Sequence, residues 1–149
     1  GFISYILILP IVIYRVYKYR NIPEAARPTL VIFTAPSHLC LAGYLTSFSD
    51  KSMGFVIFLI GLAFITFLYA IYHTPRLLNI KFYPSYSSFT FPFVISAIAT
   101  KKSYTYLLGE GYNIIFLKYL SYLQLAVSTA LVMYVTYKYF IFLFNSEES

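Results

Sequence analysis

FYPSYSSFTFPFVISAIATKK, residues 82–102, carries no charge between Phe82 and Thr100, yet holds six Ser or Thr side chains and two prolines there. A run this apolar is suited to lipid. The hydroxyls and the mid-run Pro92 need a reason. At about 100° per residue, Ser85, Ser88, Pro92, Ser96 and Thr100 fall on one third of a helix, so the segment reads as a membrane helix with one polar stripe.

The rest of the chain supports a membrane setting. Of its 149 residues 60% are hydrophobic and 11% charged, with a mean hydropathy of +0.72, whereas a soluble domain has about 25% charged residues. The net charge of +6 is no nucleic-acid signature, because the basic residues lie between or at the ends of apolar runs and form no continuous stripe. Residues 2–14 read as the back half of a span, and four further segments follow at 29–48, 53–72, 82–100 and 119–141, each near the roughly 20 residues that cross a bilayer. Sustained alternation of apolar and polar residues, the mark of a membrane β-strand, is absent. The expected fold is an all-α integral membrane bundle in a single domain, with short loops making neighbouring helices antiparallel hairpins. The chain reads as a fragment that begins inside a span.

Alternating spans put Arg15, Lys18, Arg20, Arg27, Arg76, Lys81 and Lys138 on one side and Lys51, Lys101, Lys102 and Lys118 on the other. The richer side is expected to be cytoplasmic, with the C-terminus. Tyr119 and Tyr122 at one end of the last span, with Tyr134, Tyr137 and Tyr139 at the other, fit interfacial belts. Gly109-Glu110-Gly111 is too short for a phosphate loop and reads as a turn.

The five acids, Glu24, Asp50, Glu110, Glu147 and Glu148, all lie outside the spans. Cation and proton paths are built on intramembrane carboxylates, so a path lined by neutral hydroxyls suits anions better. The span 29–48 repeats the pattern of 82–100, with Pro36 in place of Pro92. Each proline is expected to kink its helix by leaving a carbonyl unpaired, that of Ile32 or of Ser88. The hydroxyls then have two readings, pore lining or hydrogen-bonded glue between helices. Gln124 and Ser128 read as glue. Cys40 reads as a small packing residue. His38, beside Ser37, and His73 read as packed or water-facing, with no metal site, no nucleophile–base pair and no enzymatic activity expected.

RPTLVIFTAPSHLCLAGYL (27–45) and FYPSYSSFTFPFVISAIA (82–99) together resemble the paired signatures of the tellurite-resistance and dicarboxylate transporter (TDT) family. That family includes bacterial TehA-like proteins, fungal malate and sulfite transporters and plant slow anion channels. The resemblance implies ten helices in five hairpins around a central pore, in a homotrimer. This chain would supply the end of helix six and helices seven to ten, so that the missing part is the N-terminal half of the fold, with 29–48 and 82–100 facing the pore. Pro36, Ser37, His38, Ser85, Ser88, Pro92 and Ser96 become pore-lining or kink residues. The SFTFP motif carries the family's aromatic plug onto Phe91, with Phe89 as runner-up because an ideal helix puts Phe89, not Phe91, within the polar stripe. The implied function is passage of small anions (chloride, nitrate, sulfite or a dicarboxylate) across the plasma (inner) membrane, without a cofactor. The alternatives are proton-coupled malate or sulfite transport and, from another class, a non-transporting assembly subunit.

Overall fold

The computed structural model describes residues 2–18, 31–78, 88 and 90–146. They form five helices: α1 (Phe2–Lys18), α2 (Ala35–Ser47), α3 (Met53–Leu78), α4 (Thr90–Gly109) and α5 (Ile115–Ser146). No strand occurs among the described residues. Met53–Pro75 and Ile115–Phe144 are long and apolar enough to cross a membrane. Ile57, Ile65, Leu68, Leu123, Met133 and Phe144 stand exposed along them, a surface that suits lipid or further helices rather than water.

The prolines do something other than the expected mid-span kink. A 3₁₀ turn over 31–34 precedes α2, and the α-helix begins at Ala35 with Pro36 in its first turn. Pro92 is likewise the third residue of α4. A first-turn residue has no intrahelical acceptor for its N–H, so a proline there removes no bond and its fixed φ suits the helix. Both prolines start helices. The thirteen residues of α2 extend only about 20 Å at 1.5 Å each.

Other boundaries also move. Helix α4 continues past Lys101 and Lys102, beyond the apolar run 82–100, because lysine is a good helix former. It stops where Gly111 takes φ +88°. There the N–H of Tyr112 donates to Leu107 O (2.8 Å) and that of Gly111 to Leu108 O (3.1 Å), the paired bonds of a Schellman ending. The GEG stretch is the turn that the sequence suggested. The α2–α3 turn is fixed by Tyr44, whose hydroxyl accepts the Ser52 N–H at 3.0 Å and whose ring lies edge-on to Phe55 at 4.8 Å.

Helix α4 lies between α2 and α5, and α3 packs behind α2 and α4. One apolar cluster joins Val31, Phe67, Ala70, Phe93, Leu131 and Val135. A second joins Leu41, Ala42, Leu59, Ala63 and Ala99. Helix α1 is held through Phe2, whose ring meets Phe55 edge-on at 5.3 Å.

A side chain at Gly111 would meet no atom within 4 Å, so only backbone strain opposes one. Gly111→Val is expected to lower stability by about 1–2 kcal/mol, read as a drop in the thermal unfolding midpoint of the detergent-purified protein.

Candidate functional site

The polar stripe of α4 is turned inward. Pro92, Ser96 and Thr100 are buried, and Ser103 continues the row one turn on. Ser96 donates to Phe93 O at 2.7 Å and Ser103 to Ala99 O at 2.9 Å. On α2, Ser37 and His38 are buried while Pro36 is half-buried. Ser37 Oγ lies 2.7 Å from both Thr34 O and Thr66 Oγ1, the second contact tying α2 to α3. Ser88 is half-buried with no hydrogen-bond partner for its hydroxyl. Ser85 and Phe89 lie outside the described residues.

Helices α2 and α4 pack against each other. Ser37 and Ser96 both have 0% exposure, and each hydroxyl bonds a carbonyl one turn back in its own segment.

The outward face of α4 carries different chemistry. Phe91 is 50% exposed, and Val94, Ile98, Lys101, Lys102, Thr105 and Leu108 follow it on the same side. Phe91 and Phe93 are thus divided by helical phase: Phe93 is buried against Phe67 at 5.9 Å. The outward face of α2 holds Leu39, Gly43 and Thr46, flanked by half-buried Pro36 and Cys40. Lys102 Nζ donates to Thr46 Oγ1 at 3.1 Å, so the two faces run together at that end. No carboxylate lies on either described face.

His38 is not the base of a catalytic pair. Its Nδ1 lies 3.3 Å from Ser37 Oγ, closer than helical spacing suggested, but also 2.8 Å from Thr34 O. A carbonyl only accepts, so Nδ1 carries the proton and cannot take one from Ser37. Among the described residues no group of three His, Cys, Asp or Glu side chains lies together. Gln124 corrects the sequence reading: it is buried, but its Oε1 has no partner, so that atom does not act as interhelical glue.

The family model of the voltage-dependent anion channel, SLAC1, matches residues 1–140. The chain belongs to the SLAC1 family. Membership places it in membrane anion transport, consistent with the helical fold of the described residues and their two membrane-length helices. No curated protein and no solved structure matches the chain.

The division of α4 into two faces has a measurable consequence. Ser96→Leu forces bulk into a buried position and should cost about 1–3 kcal/mol. Ile98→Ser, on the outward face, should change stability by no more than about 0.5 kcal/mol. Thermal unfolding of the two variants in one detergent makes the comparison.

Proposed function

We propose that the outward faces of α2 and α4 form part of the wall of an anion path, and that Phe91 obstructs it. The observation that carries this reading is the placement of Phe91 on the carboxylate-free side of α4 that also bears Lys101 and Lys102, within a chain of the SLAC1 family. An aromatic ring in a narrow pore blocks ions by closing off water, and ammonium groups about 15 Å farther along the same helix favour anions over cations. Pro36, Ser37, His38, Pro92 and Ser96 support this wall from behind, by fixing where the helices start and how they are phased. The substrate class is a small anion such as chloride, nitrate, sulfite or a dicarboxylate.

The complete assembly is proposed to be a homotrimer of ten-helix subunits in the plasma membrane. The charge distribution supports a cytoplasmic C-terminus.

The packing of α2 against α4 favours a second reading, a membrane subunit that holds helices together without conducting. Anion current through the complete protein in planar bilayers separates the two. Phe91→Ala is expected to raise chloride or nitrate conductance by about an order of magnitude or more. A rise with Phe89→Ala instead would transfer the gate to that residue. A folded protein silent with both substitutions would leave the subunit reading standing.

A further inference from the structure

A cavity of about 460 Å³ lies among α2, α3, α4 and α5, behind the outward face that bears Phe91. His38, Gly61, Phe64, Thr100, Ser103 and Gln124 are among the residues around it. Two of these are 1% exposed and have a polar atom without a partner: His38 at Nε2 and Gln124 at Oε1. Because His38 Nδ1 donates to Thr34 O, Nε2 presents a lone pair. Gln124 Oε1 is an acceptor as well. Two acceptors buried at one cavity ask for a guest that donates hydrogen bonds, and they repel an anion.

The lining argues against water alone, because a water held against apolar walls still needs two to four polar partners. Among the described residues the polar side chains around it are His38, Thr100, Ser103, Tyr112 and Gln124, and Ser103 has already committed its proton to Ala99 O. The remaining lining is aliphatic and aromatic. Helices α3 and α5 meet beside it at the Phe64–Phe116 pair, edge-on at 6.1 Å. Phe116 and Tyr112 stand exposed there.

We propose that this cavity binds a single-chain membrane amphiphile with an uncharged hydroxyl head, the hydroxyl donating to His38 Nε2 or Gln124 Oε1 and the chain lying against α3 and α5. The site differs in place and polarity from the anion path and does not depend on it.

The test uses the complete protein in phosphatidylcholine nanodiscs, with a diazirine-bearing fatty alcohol and its methyl ether as photolabels, mapped by mass spectrometry. The alcohol should label residues within 57–64 and 114–124, about fivefold more than the ether, the factor expected for one hydrogen bond. Unlabelled dodecanol should compete. A Cβ added at Gly61 meets no atom within 4 Å, so Gly61→Leu should fold, fill the cavity and remove most of the label. Gln124→Leu should reduce the preference for alcohol over ether. Equal labelling by the two reagents, or label spread along the lipid-facing helices and insensitive to dodecanol, would overturn the proposal. Those wild-type comparisons decide even if Gly61→Leu does not fold.

Discussion

The placement of proline in the first turn of α2 and α4 sets much of this structure. A proline inside a membrane helix leaves a carbonyl without its donor in a medium that offers no water. At Pro36 and Pro92 the chain avoids that by starting the α-helix one or two residues earlier. Once those starts are fixed, helical phase assigns every later side chain. Phe91 goes outward and Phe93 inward. Ser96, Thr100 and Ser103 are buried, while Ile98, Lys101 and Lys102 stay exposed.

Association in lipid gains little from burying apolar surface, since the tails are as apolar as leucine. The described bundle relies instead on close packing and local polar satisfaction. Small residues such as Ala42, Ala63 and Ala99 bring the helices together in one cluster. Hydroxyls at Ser37, Ser96, Ser103 and Ser128 are bonded to carbonyls one turn back. Ser37 and Thr66 add a bond between helices. Among the described residues four buried polar atoms lack a partner, Tyr5 Oη, Ser88 Oγ, His38 Nε2 and Gln124 Oε1, and the last two belong to residues around one cavity.

Much of this was legible beforehand. Composition and apolar run length gave membrane helices, and GEG gave the turn after α4. The motifs 27–45 and 82–99 gave a family that the match over residues 1–140 bears out. What the sequence could not give was the direction of the polar stripe. Spacing places Pro92, Ser96 and Thr100 on one face but cannot distinguish water from a neighbouring helix beyond it. Helices α4 and α5 extend beyond the apolar runs 82–100 and 119–141 because Lys101, Lys102 and Lys118 interrupt hydropathy without interrupting helix. Gln124 gave no signal of its own, since its unpartnered oxygen depends on four helices arranged around one cavity.

If α4 has one face on an aqueous path and the other buried, water should distinguish them. The direct measurement is a cysteine scan of α4 in a Cys40→Ser background, with the complete protein in membrane vesicles and a membrane-impermeant thiol reagent. Phe91→Cys, Ile98→Cys and Lys102→Cys should react, and Ser96→Cys and Ser103→Cys should not. The reverse pattern, with the serine positions reactive and Ile98→Cys protected, would contradict the account and put the hydroxyl stripe in the water path.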